Sequence, residues 1–194
     1  MIRFLRSALV GAIVSWIAAA PAMADEALKA LAGEAEQAAA AGRTLEALDL
    51  ADRFAEAVWQ TVPLAFRKTA LVDSAPTAFG REEPRATNTY TVDEEIHIYA
   101  EPVAFGWEST GEGYRTDLVA DVRVATAEGK IIVGHKAFAE FQIASAERDA
   151  DVFLALTYVF GGLGPGDYVV TTTLTDRVYG KTAAFSLPIT ITRG

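Results

Sequence analysis

The chain has 194 residues, no cysteine and a formal net charge of −9 at pH 7. The missing thiols exclude cysteine nucleophiles, disulfide exchange and cysteine-ligated metal. Lysines and arginines are scattered among the acids, which argues against nucleic acid as a partner, because a phosphate backbone is gripped by basic residues clustered on one face.

The N-terminus carries Arg3 and Arg6, then an apolar run over residues 8–20, then Pro21-Ala22-Met23-Ala24. A charged start, a short apolar stretch and small residues before the cut are the features signal peptidase reads, so residues 1–24 are expected to be a signal peptide cleaved after Ala24. The apolar run is shorter than the roughly 20 residues a spanning helix requires. The mature chain is therefore expected to be periplasmic or secreted, with no stable membrane insertion after cleavage. Its length suits one ordinary domain with an appendage, enough to bury a core without disulfides.

Residues 25–65 are rich in Ala, Leu, Glu and Gln, all strong helix formers. Leu28, Leu31, Ala35 and Ala38 recur at spacings of three and four, which predicts a first helix. Gly42 fits its C-terminal stop and Thr44 the start of a second helix, which Pro63 ends. In that second helix Leu45, Leu48, Ala51, Ala55, Val58, Trp59 and Val62 form an apolar stripe opposite Glu46, Asp49, Arg53 and Glu56. An α-helical hairpin follows, its second helix expected to pack on the domain beyond it.

From about residue 66 the hydrophobic period drops to two. The expected strands cover residues 67–72, 95–101, 114–124, 130–143, 152–160, 168–175 and 182–192. Alternation is clearest where Leu118, Ala120, Val122 and Val124 interleave with Asp117, Asp121 and Arg123. Glu128-Gly129 supplies a hairpin turn. Residues 152–160 are apolar on both faces, which predicts the most enclosed strand. Pro188 cannot donate to a ladder, so the last strand is expected at an edge or a bulge. Seven short antiparallel strands indicate a mainly β fold over residues 66–194, a sandwich preceded by the helices.

The run Leu163-Gly164-Pro165-Gly166-Asp167-Tyr168 resembles the corner before strand F of fibronectin type III and related immunoglobulin-like modules. The resemblance implies a seven-stranded immunoglobulin-like sandwich in which Leu163, Pro165 and Tyr168 are structural, the tyrosine hydroxyl bonding back to upstream backbone. The paired cysteines of antibody domains are missing. The segment Gly42 to Ala51 also resembles the second half of a tetratricopeptide repeat, but no second copy exists to stack on it. As a whole the chain resembles exported bacterial proteins with an N-terminal helical segment and a C-terminal immunoglobulin- or fibronectin-III-like sandwich, a likeness that implies no activity.

No catalytic constellation is present. His97 and His135 lack a ligand-spaced partner, and His97 is expected to be a solvated surface residue. Gly161 to Gly166 has the composition of a phosphate loop without the following lysine and helix. Acidic clusters occur at Glu82-Glu83, Asp93-Glu94-Glu95 and Glu147 to Asp151. They offer carboxylates for glycoside hydrolysis or oxygen ligands for calcium, but neither the spacing nor an EF-hand loop supports either. Neither a cofactor nor a metal is expected. Aromatic residues beside charges at Tyr99, Glu101, Trp107, Tyr114 and Arg115 are the candidate ligand-binding residues, because aromatic faces give large contact area at low entropic cost, provided the rings are exposed; the preferred alternative makes Phe105 and Trp107 core residues capping one end of the sandwich. The expected function is a non-enzymatic binding or assembly module recognising an envelope protein or a glycan.

Overall fold

A computed structural model of the chain describes residues 20–193, with side chains from Asp25 onward. The expected signal peptide falls almost wholly outside the described residues, and its last part, residues 20–24, is described as helical backbone only. Helices α1 (Ala20–Ala40) and α2 (Thr44–Thr61) are followed by nine strands among the described residues. None of the described helices is long and apolar enough to cross a membrane. The chain divides into two compact units, one through Ala55 and one from Glu56 onward.

In the first unit α1 ends as its sequence predicts. Gly42 takes a φ of 72°, Arg43 N donates to Ala38 O (2.9 Å) and Gly42 N to Ala39 O (3.0 Å), which satisfies two orphan carbonyls in a Schellman arrangement. Leu28, Leu31 and Ala35 are half-buried and Ala38 is fully buried, so the expected α1 stripe is its inward face. The expected α2 stripe is not, as far as Ala55. Leu45 and Leu48 are 77% and 58% exposed, and Ala51 and Ala55 are exposed too. Ala47, Leu50 and Phe54 form the inward face instead. The helix carries two apolar stripes: this one is turned inward through Phe54, and the expected one only from Val58 and Trp59, which are half-buried, Trp59 against the β core.

The second unit begins with the last turn of α2. Its strands are β1 (Ala65–Val72), β2 (Thr89–Thr91), β3 (Ile96–Val103), β4 (Glu108–Thr110), β5 (Gly113–Thr126), β6 (Ile131–Ser145), β7 (Leu154–Tyr158), β8 (Gly166–Asp176) and β9 (Thr182–Thr192). The seven expected strands are all present, and β2 and β4, three residues each, are too short to show a period. A three-stranded antiparallel sheet has the order β1-β3-β7. The second sheet runs β2-β9-β8-β5-β4, with β6 on the remaining edge of β5 and β2 parallel to β9. On the opposite edge of β5, β4 pairs with residues 113–115 and β8 with residues 118–126.

Both sheets contribute to one core. Ile96, Ile98, Leu154, Leu156 and Tyr158 come from the first sheet; Leu118, Val122, Val170, Leu174 and Ile189 come from the second. Phe66 meets Phe185 edge to face at 4.8 Å, and Tyr158 Oη bonds Thr172 Oγ1 at 2.8 Å. The expectation that residues 152–160 form the most enclosed strand is corrected. In β7 only alternate residues are buried, and Val159 is 54% exposed, because β7 lies at a sheet edge. The central strand β3 is the enclosed one, with six of its eight residues buried. Pro188 sits opposite Val169 on β9, and β2 reaches β9 only at Thr190–Thr192, so the proline faces an unpaired stretch of edge.

The corner geometry is as the resemblance implies. Tyr168 Oη donates to Gly164 O at 2.9 Å, four residues upstream, and Leu163 is buried while Pro165 is exposed. The last turn of α2 is tied down by polar contacts. Lys181 Nζ donates to Trp59 O (3.1 Å), Val62 O (2.8 Å) and Ala104 O (2.9 Å). The Trp59 indole N–H donates to Phe105 O at 2.7 Å, its ring edge-on to Phe105. Fully buried Asp176 receives Gly106 N (2.8 Å) and Val178 N (2.9 Å).

Candidate functional site

Tyr99 and Glu101 are adjacent on the outer face of β3, and they are bonded to each other rather than offered to solvent. Tyr99 Oη accepts from Gly80 N (2.8 Å) and donates to Glu101 Oε1 (2.7 Å). Its ring stacks on Phe153 at 5.7 Å, with an interplanar angle of 16°. Tyr99 is fully buried and Glu101 is 6% exposed; burial is the main influence raising the Tyr99 pKa above its ordinary value. The covering element is the loop between β1 and β2, which brings Gly80 to the sheet. Glu82, on the same loop, pairs with Lys68 of β1.

The other three candidates lie at the start of β4 and β5. Trp107 is 6% exposed and its indole N–H donates to Asp149 O at 3.2 Å. Half-buried Tyr114 lies under the Arg148 guanidinium, 4.9 Å from the ring centroid, and Arg148 pairs with Glu56. Arg115 pairs with Glu108, its register partner on β4. Two of the three rings are therefore internal, and Phe105 and Trp107 are core residues. A shallow cleft of about 210 Å³ does open beside Trp107, walled by Ser145, Asp149, Asp151 and Phe153.

The carboxylate clusters are spent on local structure. Glu94 accepts from Thr91 N (2.8 Å) and pairs with Arg85, and the Thr91 amide is the main influence holding its pKa below the ordinary carboxylate value. Asp149 Oδ1 accepts from Asp151 N (2.8 Å) within the 147–151 loop. Among the described residues no three His, Asp or Glu side chains gather as a metal site would require. The His97 side chain is 15% exposed, bonded to Thr157 Oγ1 (3.0 Å) and paired with Glu95 (3.3 Å), so the expected solvated histidine is largely enclosed.

Accessible features lie on the second sheet. Strand β6 takes a strand partner, β5, on one side only among the described residues. Ile131 is 57%, Ile132 43% and Phe138 38% exposed along it. The ladder with β5 shifts register between Ala120 and Val122, where Ala137 has a φ of 48°. Asp121 holds this bulge, receiving Ala137 N at 2.8 Å and pairing with Lys136. The Lys136 bond is the main influence pulling the Asp121 carboxyl below its ordinary pKa. A groove of about 470 Å³ crosses the outer face of the same sheet, lined by Arg123, Gly134, Lys136, Thr171, Thr173 and Ala184 among others.

No protein-family model matches the chain, and no curated protein matches it. Among solved structures it is similar to the Pseudomonas fluorescens alkylpurine DNA glycosylase AlkC bound to DNA containing an abasic site analog, at 12% identity and a TM-score of 0.38, over 89% of this chain and 37% of that one. It is similar to Spo0M, a sporulation control protein from Bacillus subtilis, at 13% identity and a TM-score of 0.34, over 69% of this chain and 51% of that one. A third likeness is to the CARDB domain of the Pyrococcus furiosus PF1109 protein in complex with di-metal ions, at 11% identity and a TM-score of 0.26, over 69% and 96% of the two chains. The chain thus spans about a third of the glycosylase and half of Spo0M. Likenesses this weak assign neither activity nor ligand.

Proposed function

We propose that this chain is a non-enzymatic, exported binding module that holds an envelope protein through the free edge of β6. The observation that carries the reading is the edge itself: 15 residues, partnered on one side, with Ile131, Ile132 and Phe138 exposed along it. Unpaired N–H and C=O groups on such an edge pair with an extended segment of another chain, and neighbouring side chains set its register. The Asp121-held bulge and Lys136 interrupt the edge midway, which blunts indiscriminate pairing while leaving the Ile131–Val133 stretch open. Seven long strands in two sheets around one core, with Tyr168 bonded to Gly164, support an immunoglobulin-like sandwich as the scaffold. Tyr99 and Trp107 are buried and offer a saccharide ring no accessible face, so the protein-binding reading is preferred.

The test compares crosslinked capture from the envelope by wild-type chain and by Ile131→Lys and Ile132→Lys. Both positions are exposed, so folding is preserved while a charge on the edge opposes strand addition. Capture that falls with both variants supports the reading; capture that is indifferent to them refutes it.

A further inference from the structure

We infer that the groove across the outer face of the second sheet is a binding site for an acidic glycan, a linear saccharide bearing carboxylates, anchored on Arg123. Ile131 borders both this groove and the edge of β6, but the groove is recognised by side chains and not by unpaired backbone.

Two rows of outward residues frame it. In one, Arg123 stands between its register partners Gly134 and Thr171, and Thr171 faces Ser186. In the other, Asp121 faces Thr173, which faces Ala184, with Lys136 joined to Asp121. These rows cross β6, β5, β8 and β9. At about 4.8 Å between strands, four strands span about 15 Å. A ligand lying there runs across the strands and finds no backbone ladder, so an added peptide strand gains nothing from it. It meets hydroxyls: Thr171 Oγ1 and Ser186 Oγ lie 2.8 Å apart, and Thr173 lies on the next row. The floor is low, since a Cβ built on Gly134 would meet nothing within 4 Å.

Charge selects the ligand's sign. The chain carries a net −9, yet the groove holds Arg123 and Lys136 against the one carboxylate of Asp121. Lys136 neutralises Asp121. Arg123 is exposed and enters no ion pair among the described residues, so its planar fork is available for a bidentate carboxylate. Threonine and serine hydroxyls beside one guanidinium outside any ion pair suit a uronic-acid saccharide better than a neutral one.

The probe is a linear oligogalacturonate, titrated calorimetrically into the full chain, alongside its methyl ester and an oligoglutamate of equal charge. The expected result is binding of the free acid only. Arg123→Gln is expected to weaken it about tenfold or more, the worth of one charge-assisted pair, at an unchanged melting temperature. Thr173→Val is expected to weaken it as well. Ile132→Lys, on the β6 edge, is expected to leave it unaltered, so failure here and failure of protein capture are read separately. Equal binding of the ester overturns the Arg123 anchor. Equal binding of oligoglutamate overturns the glycan. No binding of the free acid, or an Arg123→Gln variant that binds like wild type, overturns the site.

Discussion

Replacing Lys181 with methionine removes a cation that holds three backbone carbonyls, those of Trp59, Val62 and Ala104 at 3.1, 2.8 and 2.9 Å. The first two end α2, where the helix dipole favours positive charge. A hydrogen bond to a charged group contributes about 1.5–3 kcal/mol. Lys181 is half-buried, so water replaces part of each bond, and about 1 kcal/mol apiece gives roughly 3 kcal/mol in all. Burial pulls the ammonium below its ordinary pKa, the desolvation cost that limits the gain, while Asp176 opposes the shift. Methionine keeps most of the apolar stem, so the loss isolates the ammonium. For a chain of this size roughly 3 kcal/mol is a fall of about 6–12 °C in melting temperature, read by circular dichroism at neutral pH. A Met variant that melts within about 1 °C of wild type refutes the claim that these bonds fix the end of α2 to the strands of its own unit.

Three further outcomes follow from named contacts. Tyr168→Phe removes the Gly164 bond at a half-buried position and is expected to cost about 1 kcal/mol by urea denaturation; no change in midpoint means the corner hydroxyl is dispensable. Burial, partly offset by the Thr172 bond, pushes the Tyr158 phenol from 10.0 up to about 12. The protonated phenol therefore favours the fold below pH 10, and that stability is lost as pH climbs toward 12. Alkaline melts should show this slope in wild type and less of it in Tyr158→Phe; equal slopes refute the assignment. Glu94, held below its ordinary 4.5, contributes stability above that pH which disappears as pH falls through its lower folded value. Acid melts of Glu94→Gln should lack that portion of the fall.

Sequence alone yields those features that local chemistry decides. Gly42 at a left-handed turn, the α1 stripe ending at Ala38, and the alternation through Leu118, Ala120, Val122 and Val124 each follow from nearby residues and are found as expected. The failures are long-range. Leu45 and Leu48 have the same spacing as a buried face, and only the competing Ala47, Leu50, Phe54 face explains why they stay in water. Val152 to Phe160 looks enclosed by composition, but enclosure depends on sheet order, which places β7 at an edge.

The candidate site divides the same way. Tyr99 and Glu101 are two residues apart on a strand, so a shared face was legible; the loop that carries Gly80 over them was not, and it turns a presumed ligand contact into internal support. Trp107 loses its exposure to the 147–151 loop, whose Asp149 carbonyl takes the indole proton. The free edge of β6 and the Arg123 groove depend on which strands lie beside β5, and no residue within those strands announces it. The one local signal was the Lys136-Ala137-Phe138 break in alternation, which marks the bulge.

The most direct measurement of the central claim places a photoreactive side chain at Ile132 on the edge of β6, and in parallel at Val92, exposed at 39% and outside β6, in the full-length chain. Illumination is expected to yield a discrete envelope-protein adduct from position 132 and none from 92. Adducts from position 92 alone, or the same set from both positions, contradict the assignment of the β6 edge as the binding surface.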